Sequence, residues 1–355
     1  MRAVVRGLIG AQAVVTLAGA ALGAGAAPAA ADPSAAAGAA LAGSVARSVT
    51  APAASAAPGR TASAEVRSRA GGRTSRPAAK RKPEKPKTPK PAKPPARGDG
   101  QDDAVYLVHG LDTGANTDCR ASHGEMRELL REYGWSGPIQ TVAYYKGDRR
   151  CDLAVPGRSK FDANTSIATL GKALANLVYD KHSRHGRAVD LVGTSMGGLI
   201  VRAALTGVQR KEKGFPPYLY VEDAVTLGTP HNGGYSGSCH DKLQCHQMRK
   251  ADGGKLARWL STRPQSPGFR TDWTVIGSEA DQTVPGSYAV ALPAPHKILY
   301  HESGGIGHNG LWQRWFGTFP ATIWNSAQGS APRYTDEARQ PVHAVSYALK
   351  YQSAW

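Results

Sequence analysis

The sequence predicts an α/β domain built on a mostly parallel sheet with helices on both faces. Three observations lead there. From about Gln101 to Trp355, short apolar runs of strand length alternate with longer stretches whose apolar residues recur at helical spacing. That part holds about 255 residues, enough to bury the core of one sizeable α/β domain. Glycines and reactive side chains gather directly after several of the apolar runs, which is where open parallel sheets bind ligands.

The elements follow in order, with no internal repeat. Ala104–Val108 is a short apolar strand. Ser122–Tyr133 is a helix, opened by the capping box of Ser122 and Glu125 and carrying Met126, Leu129, Leu130 and Tyr133 on one face. Ile139–Tyr145 is a strand, and Thr165–Lys181 a helix with Ile167, Leu170, Leu174, Leu177 and Val178 in one stripe. Ala188–Val192 is a strand interrupted by Asp190, and Leu199, Ile200 and Ala203 after it have helical spacing. Strands are expected at Tyr220–Leu227, Trp273–Ile276 and Lys297–Tyr300, and a last helix after about Pro341.

The first 100 residues differ in composition. Arg2 and Arg6 precede an apolar stretch from Leu8 to Leu22, and Ala29-Ala30-Ala31 stands before Asp32. This is the form of a secretory signal peptide over residues 1–31. The stretch is too rich in Gly and Ala to read as a membrane span. Residues 32–100 are expected to be a disordered linker, Ala/Pro-rich and then Lys-Pro-rich, because they bury too little apolar area to offset the entropy of ordering. Residues 1–97 hold 16 of the 44 basic and 3 of the 27 acidic residues, a net +13 of the chain's +17. The positive charge thus belongs to the tail. It contains no aromatic residue, so no nucleic-acid partner is expected. Residues 80–97 read as a solvated spacer or as a contact to an anionic cell wall or membrane surface.

The chemistry is concentrated at three strand ends. Gly193-Thr194-Ser195-Met196-Gly197 lies between a strand and a helix, the setting of a nucleophile elbow. Glycines two positions either side of the serine suit a turn that crowds neighbouring backbone, and the helix N-terminus favours developing negative charge. The second strand end reads Gly277-Ser278-Glu279-Ala280-Asp281. Asp281 is the candidate orienting acid, with Glu279 as rival; Asp272 precedes its strand and sits at the wrong end. The third reads Gly304-Gly305-Ile306-Gly307-His308-Asn309, and His308 is the candidate general base toward Ser195. His296 and His301 lie before or within the strand and are weaker alternatives. The first strand ends in His109-Gly110-Leu111, whose Leu111 N–H, with that of Met196, would form an oxyanion hole. His109 itself reads equally as structural or catalytic.

Val-His-Gly at 108–110, Gly-Thr-Ser-Met-Gly-Gly-Leu at 193–199, Leu-Gly-Thr-Pro-His-Asn-Gly-Gly at 227–234, the Gly-Ser-Glu-Ala-Asp loop and Gly-Ile-Gly-His-Asn-Gly-Leu together resemble secreted bacterial lipases and esterases of the α/β-hydrolase superfamily. The resemblance implies a compact α/β-hydrolase fold over residues 101–355 that lacks the first strands, and a catalytic triad of Ser195, Asp281 and His308. It further implies a cap or lid after Thr229-Pro230-His231, at 235–270. That segment is polar and basic rather than strongly amphipathic, unlike a lid that opens on lipid.

Four cysteines fit an oxidising, extracellular context, and the favoured pairs among three possible pairings are Cys119–Cys151 and Cys239–Cys245. Cys239-His240 and Cys245-His246, with His231 nearby, invite a zinc reading, but five residues between the cysteines are an unusual ligand spacing, and no metal is expected. The sequence therefore points to a secreted, monomeric serine hydrolase acting on carboxylic esters, lipid esters first, without a cofactor. An acyltransferase or thioesterase with the same triad, and a non-catalytic surface-binding protein on this fold, are the competing readings.

Overall fold

The computed structural model describes residues 92–238, 241–249, 254–326, 329 and 331–351, all within the unit Pro83–Trp355. The expected signal peptide at 1–31, the linker up to residue 91 and Cys239 lie outside the described residues.

The strands are β1 (Val105–Val108), β2 (Ile139–Ala143), β3 (Leu153–Ala154), β4 (Val189–Thr194), β5 (Val221–Leu227), β6 (Asp272–Ser278), β7 (His296–Tyr300), β8 (Phe319–Asn325) and β9 (Arg333–Ala338). They form one sheet in the order β3-β2-β1-β4-β5-β6-β7-β8-β9. Pairings from β3 through β7 are parallel, and β8 and β9 add an antiparallel edge. The helices are α1 (Cys119–Glu132), α2 (Ile167–Lys181), α3 (Met196–Gln209), α4 (Leu243–Met248), α5 (Gly254–Trp259), α6 (Gly286–Ala289) and α7 (Pro341–Lys350). None of the helices among the described residues is long and apolar enough to cross a membrane.

Side-chain alternation along each strand divides the core into two layers. Val105 and Leu107 of β1 pack with Met126, Leu129 and Leu130 of α1 and Val342, Val345 and Leu349 of α7. Tyr106 and Val108 pack on the other face with Leu170, Leu174 and Val178 of α2 and Leu199, Ile200 and Ala204 of α3. A central strand covered on both sides must be apolar throughout, and all six residues of β4 are buried. The acidic interruption, Asp190, accepts a hydrogen bond from the Asp223 amide at 3.1 Å. Helices α2 and α3 cross so closely that a Cβ on Gly171 would stand 2.5 Å from the Cβ of Ala203.

Several elements differ from expectation. Helix α1 starts at Cys119, not Ser122, because Asp118 is the cap: its carboxylate accepts from the Ala121 amide at 3.2 Å, and the Ser122 amide already donates to the Asp118 carbonyl at 2.9 Å. The Cys119–Cys151 disulfide fixes that first turn. Strand β3 is two residues long and too short to leave a periodic signal. The β8–β9 hairpin carries Pro320 and a charged outer strand, so neither half shows the apolar run of a central strand.

Residues 92–98, at the end of the stretch read as linker, lie at the amino ends of β5 and β6. The Ala92 amide donates to the Tyr218 hydroxyl at 3.1 Å, Arg97 Nη1 to the Glu222 carbonyl at 2.9 Å, and the Gly98 amide to Glu222 Oε1 at 2.9 Å.

Candidate active site

Strand β4 delivers Ser195 directly to the first residue of α3. Ser195 has φ 52° and ψ −127°, a region that a residue with a Cβ rarely occupies. Two hydrogen bonds hold it there: its amide donates to the Leu227 carbonyl and its carbonyl accepts from the Thr229 hydroxyl, both at 2.8 Å. The flanking glycines are needed for space. A Cβ on Gly193 would lie 2.5 Å from Gly198 Cα, and one on Gly197 would lie 2.1 Å from the Val108 carbonyl oxygen.

Asp281 follows β6 and is fully buried at its carboxylate. Oδ1 accepts from the amides of Thr283 and Val284, both at 2.8 Å, and Oδ2 lies 2.6 Å from His308 Nδ1. The His308 ring meets Trp312 edge-on with centroids 5.3 Å apart. His308 and Ser195 line one cavity of about 220 Å³, together with His109, Gly110, Leu111, Thr117, Ser122, Tyr235, Thr283 and Asn309 among others. The structure thus brings the serine and the histidine–carboxylate pair to the carboxyl ends of β4, β6 and β7, at one opening.

The two expected oxyanion donors flank the serine. Met196 is the first residue of α3, where a helix leaves its amides without carbonyl partners of its own. Leu111 lines the cavity, and Gly110 before it approaches so closely that a Cβ would stand 2.9 Å from Ser195 Cβ.

The rival residues are engaged elsewhere. Glu279 is hydrogen-bonded to His301 Nδ1 and the Glu302 amide, each at 3.2 Å. His296 pairs with Asp272 at 3.2 Å at the far end of β6. His231 Nε2 lies 2.8 Å from the Thr226 hydroxyl, and burial followed by the nearby Arg202 charge holds its pKa well below the usual value. His123 Nε2 lies 3.1 Å from the Thr194 hydroxyl, and burial, then the charges of His109 and Arg127, push its pKa down to about 3. Both rings are therefore neutral supports.

Sequence reasoning missed one part of the site. Asp148 accepts from the amides of Thr117, Tyr144 and Tyr145 and pairs with His109 Nε2 at 3.1 Å. The Tyr144 hydroxyl bonds the carbonyls of His109 and Gly110. The only signal in the chain was His109 before a glycine, and its partners lie more than thirty residues away.

In the segment 235–270, Gln244 of α4 bonds the carbonyls of Asp162 and Thr165 at 3.0 and 2.8 Å, and Gln247 receives the Ile167 amide at 2.9 Å. The segment is thus seated on the start of α2. Cys245 is disulfide-bonded; its expected partner, Cys239, lies outside the described residues. Larger cavities among the described residues lie away from Ser195 and His308: one of about 460 Å³ beside Arg263 and Thr271, one of about 460 Å³ between β9 and α7, and one of about 250 Å³ beside Ile323 and Arg333.

No curated protein matches the chain. Among solved structures, a gene product of Listeria innocua is 15% identical, with 71% of this chain and 96% of that chain covered and a TM-score of 0.42. The mature form of a lipase from Bacillus licheniformis is 16% identical, with 73% and 91% covered and a TM-score of 0.35. The strands form a mostly parallel sheet, and the candidate residues Ser195, Asp281 and His308 follow β4, β6 and β7 in the chain order expected on the α/β-hydrolase fold. Over residues 101–250, which include Ser195 and its turn, the chain is similar to the family described as "Putative serine esterase (DUF676)".

Proposed function

We propose that the chain is a serine hydrolase that cleaves carboxylic esters through an acyl-enzyme. The observation that carries this reading is the pair of His308 and the buried Asp281 carboxylate, 2.6 Å apart, opening on the cavity that Ser195 lines. In this scheme Ser195 Oγ attacks the ester carbonyl while His308 takes its proton. The amides of Leu111 and Met196 receive the oxyanion, and the alcohol leaves with the proton from His308. Water, deprotonated by the same ring, then attacks the acyl group and Ser195 departs. Asp281 fixes the tautomer and balances the imidazolium that forms twice in the cycle.

The cavity, about 220 Å³, is smaller than the roughly 300–1,000 Å³ of most small-molecule sites. Its lining sets Thr117, Ser122, Tyr235, Thr283 and Asn309 beside Leu111 and Trp312. Both properties support short acyl groups over the long lipid chains favoured by the family resemblance. Residues 1–31 support export, and residues 80–97 support contact with an anionic surface; salt would then release full-length protein from cells.

The test is a chain-length series of p-nitrophenyl esters with wild type and Ser195→Ala side by side. Wild type turns over esters of short acyl chains, and the variant loses about six orders of magnitude in kcat. Equal activity in the two proteins removes Ser195 as nucleophile. Inertness of both removes the ester reading, and an optimum at long chains removes the short-acyl assignment.

A further inference from the structure

The peptide joining Gly110 to Leu111 faces two ways. Its N–H is the Leu111 oxyanion donor. Its carbonyl oxygen accepts from the Tyr144 hydroxyl and lies 2.9 Å from His109 Nδ1. Across the same ring, Nε2 lies 3.1 Å from Asp148 Oδ2. Both neighbours of the imidazole are therefore oxygens without a proton to offer, one a backbone carbonyl and one a carboxylate already accepting three amides. A neutral imidazole has one N–H and would set a lone pair against one of these oxygens.

We propose that His109 is a buried imidazolium, and that with Asp148 and Tyr144 it positions and polarises the Gly110–Leu111 peptide so that the Leu111 N–H meets the oxyanion. The catalytic half of this proposal rests on the ester-hydrolase reading; the charge on the ring does not.

The surroundings are built for such an ion. The His109 and Asp148 side chains are 2% and 0% exposed, so neither charge is shared with water. Burial pushes the Asp148 carboxyl up, but the hydrogen bond and charge of His109 and the Tyr145 and Tyr144 amides outweigh it, leaving its pKa below the usual range. The imidazole lies on the Tyr144 ring with centroids 4.0 Å apart and planes 15° apart, an arrangement that favours a cation over a π face. Burial also raises the pKa of Tyr144 far above its ordinary value, so its hydroxyl keeps the proton it donates. The other groups facing this network are Tyr145 at 5.7 Å from the ring, Asp112 in the following loop, His123 behind β4, Arg158 on the Asp148 carbonyl, and His308 across the cavity.

A donor chain of this kind strengthens as it is polarised. Charge-assisted donation to the Gly110 carbonyl makes the N–H of the same peptide a better donor, and the positive ring sits on the side of the cavity where negative charge develops. The gain is realised in the transition state, so it belongs in kcat rather than in KM.

The test combines ring-nitrogen NMR of the full chain with steady-state kinetics. In wild type at neutral pH, both His109 ring nitrogens carry protons. The signals are assigned by their loss in His109→Gln. An unprotonated ring nitrogen at neutral pH overturns the proposal without any substrate, whether or not the chain hydrolyses esters. With a short p-nitrophenyl ester, His109→Gln and Tyr144→Phe lower kcat about tenfold and leave KM within about twofold. Unchanged kcat, or a loss confined to KM, overturns the positioning role. Asp148→Asn provides the second check. With the counter-charge gone, burial disfavours a positive ring, so one ring nitrogen loses its proton at neutral pH and kcat falls as in His109→Gln. A variant that melts early is set aside by its thermal midpoint, and the wild-type spectrum still decides.

Discussion

One oxygen of Asp281 holds the ring of His308 at 2.6 Å while the other is held by the amides of Thr283 and Val284 at 2.8 Å each. The carboxylate cannot rotate without breaking two backbone hydrogen bonds, so the imidazole inherits the rigidity of the turn after β6. Asp281→Asn presents an amide to Nδ1 and selects the wrong tautomer, and kcat falls by about 10³- to 10⁴-fold. Glu279→Gln, two residues earlier, changes kcat by less than about twofold, because Glu279 faces His301 and Glu302. Kinetics of the two variants on one ester identify the acid of the triad; equal losses would remove Asp281 from that role.

The turn at Ser195 makes a steric prediction. A methyl on Gly197 would meet the Val108 carbonyl at 2.1 Å, and backbone has little room to retreat. Gly197→Ala therefore destabilises the chain by about 3 kcal/mol or more and abolishes activity at the same time. Urea unfolding measures the first effect. A folded, fully active variant would refute the packing argument.

Arg97 is the counter-charge of an acidic group at the amino ends of the strands. It reaches Asp223 at 3.5 Å and Glu222 at 3.9 Å. Burial, then the neighbouring acids, raises the pKa values of Asp190 and Asp223 well above the ordinary carboxylate range, and Arg97 opposes both shifts. A carboxyl with a raised folded-state pKa stabilises the fold below its unfolded value, about 3.9, and loses that contribution as pH rises through the folded value. Arg97→Gln removes the opposing charge, so its destabilisation is larger at neutral pH than near pH 4, where these carboxyls are protonated in the folded chain. Urea midpoints of both proteins at the two pH values check the sign. A loss that shrinks toward neutral pH would show that Arg97 does not balance these acids.

The Cys119–Cys151 bridge spans 32 residues and closes a loop that includes β2. Replacing both cysteines with serine costs about 3–4 kcal/mol by loop entropy. Because the Thr117 amide beside the bridge also holds Asp148, kcat falls together with stability. Unchanged unfolding in urea would leave the bridge without a stabilising role.

The reactive loops could be read in the sequence because each combines a short apolar strand with a local glycine cluster, and all the information lies within about ten residues. Ser195 and His308 needed nothing more. The partners of His109 could not be read, since Asp148 and Tyr144 reach it from a loop after a different strand. Arg97 lay in a stretch whose composition reads as linker, and its acids are 125 and 126 residues away. The start of α1 was misread because two capping residues compete within one turn, and the aspartate with nearby arginines prevails. The outer hairpin was missed because its outer strand is exposed and follows no two-residue apolar alternation.

The backbone of Ser195 leaves folding and chemistry at odds. A side chain at φ 52° is tolerated because the strand, the helix and Thr229 leave no alternative. Glycine would occupy that point without strain, and a chain selected only to survive heat would carry it there. Thermal robustness and turnover are therefore set against each other at a single position, and improving one there forfeits the other.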